Sequence, residues 1–321
     1  MDTQRLAAGP ETIATAAALL RGGNLVAFPT ETVYGLGADA RDAEAVARLY
    51  EAKGRPRFNP LIAHVPTIEA AWREGVFNAA AAALAEAFWP GPLTLVVPVR
   101  TGGSICALAR AGLDSVGLRV PAHPIARALL EAVDRPVVAP SANRSGRISP
   151  TRAAHVLADL DGRIDAVLDG GDAAVGVEST IVGCLEGHCV LLRPGGIPTE
   201  AIEACLGMRL ASGQDDAVLK APGMMASHYA PRLPVRLRAG PIARHEAVLD
   251  FGGQLEGASA VAYLDLSRSG DLHEAAARLF DALHRLDAAG ASGIAVAPIP
   301  DHGLGAAIND RLRRAAAPRP G

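Results

Sequence analysis

Short apolar runs alternate with longer helix-like segments along most of this chain, and no other feature limits its possible folds as much. Strand-like runs fall at 25–28, 61–65, 93–99 and 116–120, then at 137–139, 166–168, 179–182 and 190–192. Helix-like segments lie between them at 43–52, 79–88, 124–133 and 152–160. An earlier helix is marked by Pro10, which suits a first turn, and by Gly22-Gly23, which stop it. Such mixing predicts an α/β fold. Composition shifts near Gly207, and residues 211–234, with their Ser, Gly, Asp and Pro, read as a linker. Beyond it the alternation restarts. Strands at 235–237, 260–264 and 293–297 and helices at 272–289 and 304–316 predict a small Rossmann-like domain. It has no G-x-G-x-x-G, so no dinucleotide site is expected there.

The chain has 321 residues, enough for about two domains. Half of them are hydrophobic, which permits a sizeable core. The net charge of −3 argues against a dedicated nucleic-acid coat. Only Lys53 and Lys220 among the basic residues are lysines, so each marks a place where Arg was not used. Cys106, Cys184, Cys189 and Cys205 form no C-x-x-C motif, and reduced core thiols are expected. No apolar run reaches the ~18 residues of a membrane helix. The N-terminus shows no basic start followed by an apolar stretch, so no signal peptide is read and a cytoplasmic protein is expected.

The chemistry concentrates in a few loops. The strand ending at Phe28 runs into a polar turn with Thr30, Glu31, Thr32 and two glycines, before a helix. Polar loops at strand ends are where α/β proteins place ligand sites. The next loop carries Lys53, Arg55 and Asn59. Its cations suit an anionic ligand such as phosphate, and Pro56 and Pro60 stiffen it; the alternative is a solvated basic loop. Asn59 before Pro60 also suits a plain turn. His64 ends an apolar strand, where a satisfied core histidine is the ordinary reading. Arg119 lies in the apolar run 116–120 and needs a partner there, either an internal acid or a bound carboxylate. Ser141-Ala142-Asn143 follows a strand and could be a turn or a nucleotide contact. Thr151, ahead of a helix expected to open at Arg152, is an N-cap, a phosphate ligand, or both. Glu178 is a candidate to hold Arg119 or Arg193. Adjacent Met224 and Met225 followed by His228-Tyr229 are unusual in a passive linker, and either glue two domains together or form a lid.

Several of these stretches, in this order, resemble the YrdC/Sua-type family, the threonylcarbamoyl-AMP synthases of tRNA modification. The resemblance rests on residues 28–37 and 53–64, Trp89-Pro90-Gly91-Pro92-Leu93-Thr94, Gly117-Leu118-Arg119-Val120-Pro121, Ser141-Ala142-Asn143, Val177-Glu178-Ser179-Thr180 and Leu192-Arg193-Pro194-Gly195. Pro222-Gly223-Met224 and His228-Tyr229-Ala230-Pro231 resemble the long, two-domain form. The resemblance implies a YrdC-like twisted mixed sheet with flanking helices over 1–206, a linker or lid over 207–233 and the small domain over 234–321. It implies synthesis of threonylcarbamoyl-AMP and pyrophosphate from L-threonine, bicarbonate and ATP. By carry-over, Lys53 and Arg55 serve catalysis. Arg55, Asn59, Ser115, Asn143, Thr151, Arg193 and Tyr229 contact ATP. Thr32, His64, Arg119, Ser141 and Ser179 contact threonine. Mg2+ is expected to arrive with ATP, and no all-protein metal cage is visible. The product implies a partner in the tRNA threonylcarbamoyl-transfer machinery. A competing reading is an RNA-binding or ribosome-associated module on the same fold, with Arg144, Arg147 and Arg152 near the presumed pocket. A third is a carbamoyl-phosphate-using domain like that of hydrogenase maturation proteins, whose zinc-finger and acylphosphatase modules are absent here.

Overall fold

The computed structural model describes residues 2–185, 187–212 and 228–318. The Pro222 to Met225 segment, and with it much of the expected lid, lies outside the described residues. The N-terminal unit begins with β1 (Gln4–Ala7), α1 (Pro10–Arg21), β2 (Val26–Pro29), β3 (Tyr34–Asp39), α2 (Ala43–Lys53), β4 (Ile62–His64), α3 (Ile68–Glu74) and α4 (Ala79–Phe88). It continues with β5 (Leu93–Pro98), β6 (Ser115–Arg119), α5 (Pro124–Val133), β7 (Val137–Val138), α6 (Ala153–Leu160), β8 (Ala166–Asp169), β9 (Thr180–Leu185), β10 (His188–Arg193), α7 (Thr199–Leu206) and β11 (Ala211–Ser212). These strands form one 11-stranded mixed sheet in the order β1-β8-β2-β3-β7-β4-β6-β5-β9-β10-β11. The expected mixed α/β sheet is therefore present. Its register places the site. β4 and β6 run parallel with Ile62 opposite Gly117 and His64 opposite Arg119, so the His and the Arg emerge side by side on one face.

The two faces of this sheet differ. One buries Leu93, Leu95, Val97, Val116, Leu118 and Val182 in the largest core, which includes Leu84 of α4 and Leu49 of α2. The other carries a small apolar patch of Ile62, Val96, Ile181, Val190 and Leu192. The cleft described below opens over that second face.

The C-terminal domain contains β12 (Val235–Arg236), β13 (Ala247–Asp250), β14 (Ala262–Asp265), α8 (Leu272–Asp287), β15 (Ile294–Val296) and α9 (Leu304–Ala316). Its strands are all parallel, in the order β12-β15-β13-β14. Asp271 starts α8 by accepting from the backbone N–H groups of His273 and Glu274. The buried stripe of α8, including Leu279, Phe280 and Leu283, shares one core with Ile148 and Val177 of the N-terminal unit and with Tyr229. The two sheets are joined by apolar packing.

Four expectations are corrected. The two glycines after Thr32 are not turn residues: Gly35 and Gly37 lie inside β3, antiparallel to β2. A Cβ at Gly35 would press on Ala139, and one at Gly37 on Phe28, both at 3.0 Å, so glycine there permits close packing rather than a bend. The helix expected at Arg152 starts at Ala153; Arg152 is its N-cap residue and no side chain caps it, so Thr151 is not the cap. Residues 211–212 pair with β10 and extend the first sheet into the expected linker. Glu178 takes Arg311 as its hydrogen-bonded partner, which the chain brings from 133 residues away, while Arg193 acts on it through its charge.

Gly176 gives a test of the docking between the two sheets. It has a positive φ of 74°, and a Cβ there would run into the backbone of Ala276 and Ala277 on α8. Gly171 has a similar φ of 85° with nothing within 4 Å of its Cβ position. Gly171→Ala should cost about 1 kcal/mol, the backbone term alone, whereas Gly176→Ala should cost about 2–4 kcal/mol because a packed helix must also move. Chemical denaturation of both variants checks this; equal costs would show that α8 is not seated tightly on the N-terminal unit.

Candidate functional site

The cleft is built from strand ends and the loops that leave them. Thr32 and Val33 come from the turn between β2 and β3, and Arg55, Pro60 and Leu61 from the loop before β4. His64 and Arg119 end β4 and β6, while Ser141 follows β7. Glu178 and Ser179 precede β9, Arg193 ends β10, and His228 and Tyr229 close the cleft from the far side. Eight expected contacts thus line one cavity: Thr32, Arg55, His64, Arg119, Ser141, Ser179, Arg193 and Tyr229.

One side of it is organised by Arg119, which is buried. Its Nη2 donates to Glu31 Oε1 at 2.6 Å, and its Nε approaches the Gly91 carbonyl at 3.4 Å. Glu31 is held in turn by the backbone N–H of Ala122 at 3.1 Å. The internal partner that Arg119 needed is therefore Glu31. Its Nη1 makes no hydrogen bond to a described residue and remains available in the cavity wall. His64 stands next to it, with Nδ1 buried and without a protein partner. Burial, reinforced by the Arg119 guanidinium, pushes this imidazole down to about 3, so it is neutral near pH 7. Across the cleft, the Ser179 hydroxyl pairs with that of Thr94 at 2.8 Å. The Thr30 hydroxyl holds Thr32 at 2.8 Å and also donates to the Val33 carbonyl, which fixes the turn.

The opposite side is cationic. Lys53 and Arg55 are 2% and 9% exposed, so the loop is not a solvated basic surface. The Lys53 ammonium donates to the carbonyls of Ser141 and Asn143, at 2.6 and 2.5 Å. Lys53 therefore stands behind the wall and pins the Ser141 to Asn143 loop. Burial first, and Arg55 second, push its ammonium well below the usual lysine range. Arg55 donates from Nη2 to the Pro60 carbonyl at 3.2 Å, while its Nε is buried without a protein partner. Burial, with Arg193 adding to it, brings Arg55 down to about 10. Neither Lys53 nor Arg55 forms an ion pair with a described residue. Arg193 donates to the Ser179 carbonyl at 2.8 Å and adds to the same positive field.

Four expected residues besides Lys53 do not line the cleft. Asn143 is buried behind it, donating to the Arg144 and Arg147 carbonyls while its Oδ1 has no protein partner. Asn59 accepts from the Tyr50 hydroxyl through its backbone carbonyl, so it anchors the cationic loop to α2. Thr151 is buried beside His155, with a hydroxyl-to-Nδ1 distance of 3.5 Å. Ser115 opens β6, four residues before Arg119 and opposite Pro98. It lies on the order of 13 Å along the strand from Arg119.

Three roles escaped the sequence reading: Glu31 as the partner of Arg119, His228 as part of the cleft wall, and Arg311. His228 is buried with an unpartnered Nδ1, and burial, then Arg55, Lys53 and Arg193, push it far below the usual histidine range. Tyr229 has a positive φ of 61°, and its buried hydroxyl has no protein partner. Buried polar atoms normally find partners. Here Arg55 Nε, His64 Nδ1, Asn143 Oδ1, His228 Nδ1 and Tyr229 OH lack one, all in or beside one cleft. Such a cluster fits a ligand rich in charge and in hydrogen-bonding groups.

Comparison with known proteins agrees with that geometry. The Sua5/YciO/YrdC family model, described as telomere recombination, matches residues 18–195. The model of the threonylcarbamoyl-AMP synthase C-terminal domain matches residues 197–317. The chain is 42% identical to the threonylcarbamoyl-AMP synthase of Bacillus subtilis, over 99% of this chain and 96% of that protein. It is 44% identical to the one from Pyrococcus abyssi, over 94% and 93%. The crystal structure of P. abyssi Sua5 complexed with L-threonine has a TM-score of 0.88 and 40% identity, with 98% of each chain covered. E. coli YciO, at 21% identity and a TM-score of 0.55 over 60% of this chain, shares the fold.

Keeping His64 neutral ties stability to pH. The unfolded chain binds this proton near the ordinary 6.5 and the fold only near 3. Between those values the unfolded state holds more protons, so stability rises with pH and falls on acidification, by up to roughly 1.4 kcal/mol per pH unit for this group. Urea unfolding of the ligand-free protein at pH 7, 6 and 5 should show the loss, and His64→Gln should shrink it. An identical pH slope in that variant would show that His64 is not held neutral by the fold.

Proposed function

This chain belongs to the Sua5/YciO/YrdC family in its two-domain form, and we propose that it makes threonylcarbamoyl-AMP and pyrophosphate from L-threonine, bicarbonate and ATP. The observation that carries this reading is the pairing, in one cleft, of two anion-receptive sides. Buried Arg55 lines one side, backed by Lys53 behind the wall and without an ion pair to a described residue, and the other side ends at Arg119, whose Nη1 makes no hydrogen bond to a described residue.

We assign the threonine side to Arg119, His64, Thr32, Ser141 and Ser179. The carboxylate would sit on the free edge of Arg119 while Glu31 fixes that guanidinium in place. Neutral His64 can accept a hydrogen bond at Nδ1 without adding charge. The ATP side is assigned to Arg55, Arg193 and Tyr229, with Asn59, Asn143 and Thr151 shaping the loops around it and Ser115 more remote. Lys53 contributes field and rigidity: its two carbonyl bonds hold the Ser141 to Asn143 loop where both substrates would meet.

The reaction needs no protein nucleophile. The threonine amine attacks the carbon of carbon dioxide and loses a proton, or attacks that of bicarbonate with loss of water, and either route gives a carbamate. A carbamate oxygen then attacks the α-phosphorus, and the bond to the β-phosphate breaks to release pyrophosphate. The enzyme's task is to align these groups and to offset the charge that develops on the phosphates. Mg2+ would travel with the ATP phosphates, which supply the oxygen ligands it prefers. Arg55, Arg119 and Arg193 line the cleft and are buried there, a setting that suits a nucleotide better than an RNA backbone. No helix among the described residues is long and apolar enough to cross a membrane. A cytoplasmic location, with transfer of the adenylate to tRNA-modifying partners, fits these substrates. The division proposed is a catalytic domain over 1–206, to whose sheet residues 211–212 are added, a connecting segment up to 233 and a small domain over 234–321.

A pyrophosphate-release assay tests the reading. Product should require ATP, bicarbonate and L-threonine together. Orthophosphate as the released group, or equal turnover with any amino acid, would overturn it. Two variants then separate the sides of the cleft. Arg119→Lys should raise the KM for threonine by roughly tenfold or more, because a fork becomes a point contact, and leave ATP binding nearly unchanged. Arg55→Met should cost on the order of 2–4 kcal/mol in kcat/KM, as expected for losing a preorganised positive charge. Steady-state kinetics with each substrate varied in turn gives both values.

A further inference from the structure

Arg311 is the largest of the fully buried side chains. It stands on α9, in the C-terminal domain, yet its guanidinium serves the wall of the cleft. Nε donates to Glu178 Oε2 at 2.9 Å. Nη1 donates to the Pro194 carbonyl at 2.5 Å and to Asp310 at 3.0 Å. The guanidinium carbon lies 5.4 Å from the centre of the Tyr229 ring, within cation–π range. The other oxygen of Glu178 accepts from the Ser149 hydroxyl. Glu178 and Tyr229 line the cleft, whereas Arg311 does not.

The same turn of α9 grips the neighbouring backbone. Asp310 accepts from Arg314 at 3.0 Å, and the Arg314 carbonyl accepts the backbone N–H of His228 at 3.2 Å. His228 packs edge-on against Tyr229 at 4.0 Å, and Phe280 of α8 lies 5.7 Å from the Tyr229 ring. Tyr229 has the positive φ that a side chain rarely adopts, a conformation that persists only when the surroundings over-determine it. Here those surroundings come largely from α8 and α9.

We propose that Arg311 is a positioning residue through which the C-terminal domain completes the nucleotide side of the cleft, by fixing the Tyr229 ring and the Glu178 carboxylate in one geometry. Arginine suits this task for a physical reason. One planar fork can donate along its edges to Glu178 and Pro194 while presenting its flat face to an aromatic ring. A lysine supplies the charge but cannot do both. The inference rests on the reading of this cleft as an ATP site, and it gives the C-terminal domain a defined part in that site.

Pyrophosphate release by the parent enzyme and by Arg311→Lys, with ATP and threonine varied separately, tests it. The expected result is an apparent KM for ATP raised by roughly tenfold, with the KM for threonine and the kcat at saturating ATP each changed by no more than about threefold. A merely structural role would lower the melting temperature and the active fraction, and therefore kcat, with both KM values unchanged. A folded Arg311→Lys enzyme with the parental KM for ATP overturns the proposal. Should Arg311→Lys fold too poorly to assay, the double variant Arg311→Met with Glu178→Gln decides. It removes both buried charges together, and it should keep the raised KM for ATP because the ring has lost its cation. A parental KM for ATP in the double variant would show that Arg311 only neutralises Glu178. If the parent itself releases no pyrophosphate, the ATP reading fails, and that outcome is distinct from either result above.

Discussion

Lys53 and Arg55 lie buried in the protein interior with no ion pair to a described residue, and much of the surrounding structure depends on that arrangement. Burying a charge costs several kcal/mol unless something offsets it. The offset provided is partial: two carbonyls for Lys53 and one for Arg55. Backbone dipoles can solvate a cation but cannot neutralise it. An anionic ligand would supply countercharge here, and burial lowers the proton affinity of both groups. The scaffold has to hold this cluster together against its own repulsion. Asn59 is tied to Tyr50, Pro56 and Pro60 limit the loop, and Ser145 donates its backbone N–H to the Lys53 carbonyl at 2.8 Å. These contacts keep the loop in place whether or not a polyanion is present, which is what preorganisation requires.

The two sides of the cleft solve opposite electrostatic problems. Around Arg119, the fold supplies its own acid in Glu31, and so a carboxylate ligand would meet a guanidinium already oriented and partly neutralised. Around Lys53 and Arg55 no described residue supplies an ion-paired acid, and an anionic ligand would bring the countercharge. This asymmetry matches a single amino-acid carboxylate on one side and a triphosphate on the other. It also separates the roles of two residues that look alike in sequence. Both Arg55 and Arg119 belong to apolar or Pro-rich surroundings, yet one is paired and the other is not.

What the sequence made legible was mostly local. The alternation of strands and helices, the parallel C-terminal domain and the residues at strand ends all followed from short-range pattern. The failures share a cause: they turn on partners far apart in the chain. Gly35 and Gly37 looked like turn residues because nothing nearby shows that Ala139 and Phe28 pack against them. Strand β13 was overlooked because four residues, Ala247–Asp250, carry too little periodicity to stand out. Glu178 was given the wrong arginine because its true partner is 133 residues away. A signal for Arg311 did exist. It falls on the stripe of α9 formed by Leu304, Ala307, Ile308, Leu312 and Ala315, all buried, and a cation on an apolar helix face needs a partner.

That misplaced arginine also explains why the two sheets are docked by more than apolar contact. Packing of α8 on Ile148 and Val177 is non-directional, and on its own would tolerate small rotations of one sheet against the other. A buried guanidinium with donors aimed at Glu178 and Pro194 tolerates far less, because each bond fails within a few tenths of an ångström or a few tens of degrees. The hydrophobic interface thus supplies most of the attraction and the ionic contact supplies the register. Register matters here because the product expected of this cleft is a mixed anhydride, open to attack by water at its carbonyl or its phosphorus. Holding Tyr229 and His228 over the cleft limits the water that can reach it, and a fixed orientation of the C-terminal domain, together with the bond from the Ala230 N–H to the Gly146 carbonyl, holds them there.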